Sequence, residues 1–217
     1  MTDRFMPSIQ LPALYAILDP EQIRSQDPGV VLQLLLEGGA KIIQLRAKTL
    51  TPRDFFDLAR AISKETRQRN CRFIVNDRVD IAVACGADGV HLGQEDLPLG
   101  AARKLMAEKI IGISTHSEEQ ARQAERDGAD YIGFGPMFGT RTKETGYAAR
   151  GTEMLRQIRS VVKIPIVAIG GIKEENVTQV WQAGADSAAI ISDILAAEQI
   201  TSKVERIARL SRALRQR

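Results

Sequence analysis

Gly128-Ala129-Asp130-Tyr131-Ile132-Gly133-Phe134 is the stretch on which the fold turns, because its first three residues recur along the chain. Gly86-Ala87-Asp88 and Gly184-Ala185-Asp186 repeat them, and Gly39-Ala40-Lys41 does so with a cation in the third place. Each triplet follows a helix-like segment and precedes a short apolar run. Glycine just past a helix end accepts the left-handed backbone that closes the helix. The short, continuous apolar run fits a strand buried on both faces of a parallel sheet. Helix, triplet, strand therefore marks a junction that returns at about every second structural unit.

From these anchors the rest of the chain divides. Strands are expected at Leu14–Leu18, Ile42–Leu45, Phe73–Val75, Gly89–His91, Ile110–Ile113, Tyr131–Phe134, Ile166–Ile169 and Ala188–Ile191. Helices are expected at Pro28–Glu37, Val79–Ala84, Leu99–Met106, Thr152–Ser160, Glu174–Ala183 and Ala196–Arg215. Thr51-Pro52-Arg53-Asp54 opens another, with a cap, a proline at the first helical position and an acid at the third. Ser117-Glu118-Glu119-Gln120 reads as a capping box before a helix running to Asp127. Eight strands alternating with eight helices, at roughly 27 residues per unit, predict an α/β chain. The expected form is a single (β/α)8 TIM barrel over residues 1–217, with residues 1–13 extended over one end. An open doubly wound sheet is the rival arrangement of the same alternation.

Composition narrows the function classes. The net charge of +3, from 30 basic and 27 acidic residues, makes no strong field for nucleic acid. The basic C-terminal stretch carries Val204, Ile207, Leu210 and Leu214 at helical spacing, so it reads as a solvated helix face. No apolar run approaches the ~20 residues that cross a bilayer. The N-terminal MTDRFMPSIQLPALY has no basic segment followed by an apolar stretch and a cleavage site, so a cytoplasmic location is expected. Cys71 and Cys85 form no C-x-x-C motif and are read as buried thiols in a reducing compartment.

Barrel enzymes carry their chemistry on the loops after the strands, and here those positions collect phosphate- and metal-binding groups. After the second strand, alternation points Gln44, Arg46 and Lys48 the same way if the strand extends. Arginine grips phosphate with a bidentate fork and lysine supplies a point charge, although Arg46 could instead pair with an acid at the rim. Asn76-Asp77 follows the third strand, and His91-Leu92-Gly93-Gln94-Glu95-Asp96 the fourth. Carboxylates at adjacent strand ends can share Mg²⁺, which binds one or two of them together with substrate phosphates. Asp77 and Asp96 are the preferred ligands. Asp80 and Glu95 have plainer readings, Asp80 as a first-turn helix acid.

Ser114 ends the fifth strand as a phosphate partner, Ser117 reads as a cap, and His116 and His91 read as structural. The sixth strand runs into the long stretch Gly133–Lys143, with Thr140, Arg141, Thr142 and Lys143. The loop has the length of a functional lid and lacks the Walker spacing. Gly170-Gly171 and Ile191-Ser192 end the last two strands, where backbone N–H groups commonly hold a phosphate. Two such regions imply two phosphorylated small molecules or one large one.

Q-L-R-A-K, N-D, H-L-G-Q-E-D, G-I-S-T-H, G-P-M-F-G-T-R-T-K, A-I-G-G-I and I-I-S occur in this order, from Tyr15 to about Leu195. In these motifs the chain resembles the thiamine-phosphate synthase family. The resemblance implies a transferase that joins hydroxymethylpyrimidine diphosphate to a hydroxyethylthiazole phosphate, with Mg²⁺, releasing pyrophosphate. It implies that Gln44, Arg46, Lys48, Asn76, Ser114 and Lys143 bind the pyrimidine diphosphate, with Arg46, Lys48, Ser114 and Lys143 catalytic. Asp77 and Asp96 would hold the metal. Thr140, Arg141, Thr142, Gly171, Ile191 and Ser192 would hold the thiazole phosphate. The resemblance also leaves a homo-oligomer open. Three other readings compete: a thiazole tautomerase of the same barrel family, a sugar-phosphate isomerase or epimerase, and a barrel that binds thiamine intermediates without turnover. The first would not need the pyrophosphate set, the second wants a paired acid and base, and a turnover assay separates the third.

Overall fold

The structure is a computed structural model that describes residues 9–24, 26–139 and 148–215. Its strands are β1 (Leu14–Leu18), β2 (Ile42–Leu45), β3 (Arg72–Asn76), β4 (Gly89–Leu92), β5 (Ile110–Thr115), β6 (Tyr131–Phe134), β7 (Ile166–Ile169) and β8 (Ser187–Ile190). All neighbours pair in parallel, and β8 returns to β1 to close the barrel. The helices are α1 (Pro28–Glu37), α2 (Pro52–Gln68), α3 (Val79–Ala84), α4 (Leu99–Met106), α5 (Glu118–Arg126), α6 (Gly151–Val161), α7 (Val177–Gln182), α8 (Ser192–Leu195) and α9 (Ile200–Arg215).

The repeated triplets do more than close helices. Gly86, Gly128 and Gly184 take φ of 68°, 88° and 102°, the left-handed turn expected of them. The aspartate that follows then ties two strands together. The Asp130 carboxylate accepts the Ile111 backbone N–H at 2.7 Å, while its own N–H donates to the Ile111 carbonyl at 2.9 Å. Asp88 does the same to Phe73, and Asp186 to Ile166. The pairs β3–β4, β5–β6 and β7–β8 are thus clamped at their starts. Lys41, in the fourth triplet, has no carboxylate to offer.

Strand alternation splits the core in two. Outward residues such as Ala16, Leu18, Ile43, Leu45, Phe73 and Val75 pack under the helices in the larger apolar cluster. Inward residues Tyr15, Ile17, Ile42, Ile74, Tyr131, Val167 and Ala189 form a separate cluster inside the barrel, joined by Leu11 from the segment before β1. That segment is tied down where Trp181 Nε1 donates to the Ala13 carbonyl and Arg72 donates to that of Gln10.

Three local expectations need correction. The helix placed at Ala196–Arg215 begins only at Ile200, as α9, and a separate one-turn helix that was not expected, α8, precedes it where Ile191, at ψ −86°, ends the extended chain. The helix placed at Glu174 starts at Val177, because the Glu174 N–H is taken by the Asp193 carboxylate and the Asn176 side chain accepts from Lys173 N. Ser117 caps α5 through Gln120 N, yet the box is not reciprocal: Gln120 accepts from His116 N, one residue earlier.

Candidate active site

A cavity open to solvent lies at the C-terminal ends of the strands. Gln44, Arg46, Asn76, Ser114, Gly171, Ile191 and Ser192 all line it. Asn76 and Ser114 do so from within β3 and β5, which run further than the sequence indicated. Lys143, Thr140, Arg141 and Thr142 lie outside the described residues.

Arg46 reaches the cavity with a partner that sequence reasoning missed. Asp19 follows β1 directly and is fully buried; its Oδ2 accepts from Arg46 Nη1 at 2.5 Å. Its other oxygen accepts the Glu21 backbone N–H at 3.0 Å and caps a short turn. The available signal was position, since an acid one residue past β1 stands level with the residue one past β2, and Arg46 N donates to the Leu18 carbonyl. Arg46 therefore does pair with an acid and still lines the cavity.

Lys48 is half exposed and pairs with the Asp77 carboxylate. Asp77 sits at φ 63°, a left-handed conformation that costs a non-glycine residue about 1 kcal/mol. Burial and then the Asp77 neighbour raise the Asp96 carboxyl above its ordinary value, opposed by the Gly93 N–H that it accepts at 2.6 Å. Asp80 pairs with Arg78 at the start of α3, and Glu95 is exposed. Among the described residues no three His, Cys, Asp or Glu side chains gather as a metal cage. Two neighbouring carboxylates next to cavity-lining Asn76 suit a hard cation such as Mg²⁺, which would fill its remaining positions with water and substrate oxygens.

On the other side, Gly170 and Gly171 follow β7 at φ 99° and 64°. What they admit first is protein. A Cβ on Gly171 would lie 2.5 Å from the Gly139 carbonyl oxygen, and one on Gly170 would lie 2.7 Å from Pro136 Cα. Met137 and Phe138 donate backbone N–H groups to the Ile169 and Gly170 carbonyls, which seats the β6–α6 loop on the end of β7. Ser192 opens α8, a one-turn helix whose N-terminus faces the cavity in the manner of barrel phosphate sites. Asp193 and Glu174 share Lys203, and Glu174 also pairs with Arg206, so the loops after β7 and β8 are held to α9.

Both histidines point to structural work. His116 Nδ1 donates to the Gly135 carbonyl at 2.7 Å. His91 faces inward, its Nε2 2.9 Å from Ser114 Oγ and its Nδ1 3.0 Å from the Tyr131 hydroxyl. Tyr15 and Tyr131, read from sequence only as strand residues, carry hydroxyls in the floor of the cavity.

Residues 14–194 match the family described as thiamine monophosphate synthase. A thiamine-phosphate synthase of Moorella thermoacetica is 50% identical over 173 residues, covering 79% of this chain and 82% of that one. One from Chloroflexus aurantiacus is 43% identical over 194 residues, covering 89% and 90%. The solved thiamine phosphate pyrophosphorylase of Pyrococcus furiosus superposes with a TM-score of 0.85 at 36% identity, covering 93% of this chain and 96% of its own. With a closed barrel, a cation and carboxylates beside one flank of its mouth and glycine-rich amides at the other, the chain belongs to the thiamine monophosphate synthase family.

Proposed function

We propose that this chain joins hydroxymethylpyrimidine diphosphate to hydroxyethylthiazole phosphate, or its carboxylated form, giving thiamine monophosphate and pyrophosphate. The observation that carries the reading is one cavity lined by Arg46 beyond β2 and by Gly171, Ile191 and Ser192 beyond β7 and β8. Arg46 is held by a buried carboxylate at β1–β2, and the β7–β8 side offers the backbone of Gly171, Ile191 and Ser192. The first end suits a diphosphate, gripped by a guanidinium fork, and the second a phosphate monoester.

Bond changes follow from this placement. The bond between the pyrimidine methylene carbon and the diphosphate oxygen breaks, and its electron pair leaves with pyrophosphate. The thiazole nitrogen lone pair then forms the new carbon–nitrogen bond, so no enzyme nucleophile is needed. Mg²⁺ held by Asp77 and Asp96 would neutralise diphosphate oxygens when bound. Arg46 and Lys48, with Lys143 from the loop, stabilise charge building on the leaving group. Gln44 and Asn76 orient the pyrimidine, Ser114 offers its hydroxyl, and Thr140, Arg141 and Thr142 complete the thiazole-phosphate end.

The reading carries a cytoplasmic, one-domain barrel; of the N-terminal extension expected over one end, residues 1–8 lie outside the described residues. Among the described residues no helix is long and apolar enough to cross a membrane. Both substrates, Mg²⁺ and purified protein should yield thiamine monophosphate and pyrophosphate in equal amounts, and chelator should stop both. Folded protein that makes neither product would overturn the proposal.

A further inference from the structure

Five polar side chains form one continuous chain through the barrel floor. Gln44 Nε2 lies 3.1 Å from the Tyr15 hydroxyl, which is 2.8 Å from that of Tyr131. The Tyr131 hydroxyl is 3.0 Å from His91 Nδ1, and His91 Nε2 is 2.9 Å from Ser114 Oγ. The two tyrosines are buried, at 1% and 0% exposure, so neither hydroxyl turns to bulk water. Burial raises both phenols well above their ordinary value, and each keeps its proton.

Room for this chain is made in the backbone. A Cβ on Gly112 of β5 would lie 2.0 Å from Tyr131 Cζ, and one on Gly133 of β6 would lie 2.9 Å from His91 Cε1. Glycine inside a strand weakens it and marks a close approach. Here two strands carry one so that the two rings can stack, 5.5 Å apart.

Donor counting gives the chain a direction. The Gln44 amide nitrogen only donates, so the Tyr15 oxygen accepts and its single proton passes to the Tyr131 oxygen. The Tyr131 proton must then go to His91 Nδ1. That nitrogen is left unprotonated, which puts the ring proton on Nε2 and directs it at Ser114 Oγ. An imidazolium would instead present a proton on both nitrogens and leave the Tyr131 proton without an acceptor in this chain. Ser114 accepts from His91 and keeps its own proton for the cavity. A hydroxyl already accepting a hydrogen bond is a better donor through cooperative polarisation.

We propose that Tyr15, Tyr131 and His91 are positioning residues of a one-way hydrogen-bond relay. It holds His91 as the neutral Nε2–H tautomer and presents Ser114 as a donor to the anionic substrate. The donor role at Ser114 rests on the synthase reading; the tautomer does not.

The chain has two histidines, so ring-¹⁵N NMR of the ligand-free protein is readable, with His116→Gln assigning the signals. His91 should show a protonated Nε2 and a lone pair on Nδ1. Gln44→Glu keeps the shape but, as a carboxylate in mildly alkaline solution, can only accept. Every bond should then reverse and the proton move to Nδ1. A wild-type Nδ1–H ring, a doubly protonated ring, or a tautomer unmoved in Gln44→Glu would each overturn the relay. Tyr131→Phe, with Tyr15→Phe as the milder second variant, should lower kcat about tenfold with KM little changed. Unchanged kcat in both would remove the role at Ser114. If wild-type protein makes no thiamine monophosphate, the synthase reading fails while the NMR result still decides the relay.

Discussion

Replacing Asp19 with asparagine removes one negative charge from a fully buried position while keeping the side chain's shape. The carboxylate now serves two donors, Arg46 Nη1 at 2.5 Å and Glu21 N at 3.0 Å. An amide has one oxygen for both, so its NH₂ must face either the guanidinium or the turn. A hydrogen bond to a charged group contributes about 1.5–3 kcal/mol. Arg46 keeps 15% of its side-chain surface exposed at the cavity, where water can take over part of the role. The lower half of the range therefore applies, about 2 kcal/mol of stability, and Tm should fall by about 4–8 °C for a chain of this size. A freed guanidinium also loses its fixed fork, so KM for the pyrimidine diphosphate should rise roughly tenfold. Thermal denaturation and initial rates read the two effects. A double-mutant cycle with Arg46→Gln should show coupling of about 1–2 kcal/mol. Wild-type KM in Asp19→Asn, together with an additive cycle, would refute the claim that this acid aims Arg46.

Other predictions concern the scaffold. Asp130→Ala removes the acceptor for Ile111 N and for Arg103 Nη2, and should cost about 2 kcal/mol in urea denaturation; a loss near zero would mean the β5–β6 clamp is redundant. Arg206, and then Lys203, lower the Glu174 carboxyl below its ordinary 4.5. That stabilisation is present above the unfolded value and lost as pH falls through the lowered folded value. Glu174→Gln should therefore be less stable than wild type at neutral pH, with the gap closing below about pH 4.5; a gap constant with pH would contradict the ion-pair account. Burial pushes the Cys71 thiol up to about 12 and raises Cys85, so iodoacetamide at about pH 8 should label neither until urea is added. Rapid labelling of native protein would show that the thiols are reachable.

Much of the site was legible because barrel geometry converts strand ends into a shared surface. Gln44, Arg46, Asn76, Ser114, Gly171, Ile191 and Ser192 could be placed from strand ends alone, and the structure brings them around one cavity. Asp77 was separable from Asp80 because it stands nearer its strand end, and the structure pairs Asp80 with Arg78 instead. Asp19, Tyr15 and Tyr131 were not legible as polar partners. Their types are ordinary for a strand end and for strand interiors, and nothing local distinguishes a packed tyrosine from one in a hydrogen-bonded chain. The one-turn helix α8 was hidden as well, because four residues are too few to show a helical period.

The sequence by itself determined the alternation of strand and helix, the turns between them and the order of polar residues at strand ends. These depend on local physics: left-handed glycines, capping side chains and apolar periodicity within a few residues. The tertiary structure alone decided which side chains meet. Tyr15 and Tyr131 stand 116 residues apart and share a hydrogen bond, and Asp19 reaches Arg46 across 27. The tyrosine pair exists only once β8 closes on β1, because closure turns the inward faces of distant strands toward one another, whereas the Asp19–Arg46 pair follows from the register of neighbouring β1 and β2. Inside that ring a polar group must find a partner or bear the cost of burial, and the partner is whichever strand the closed barrel sets opposite.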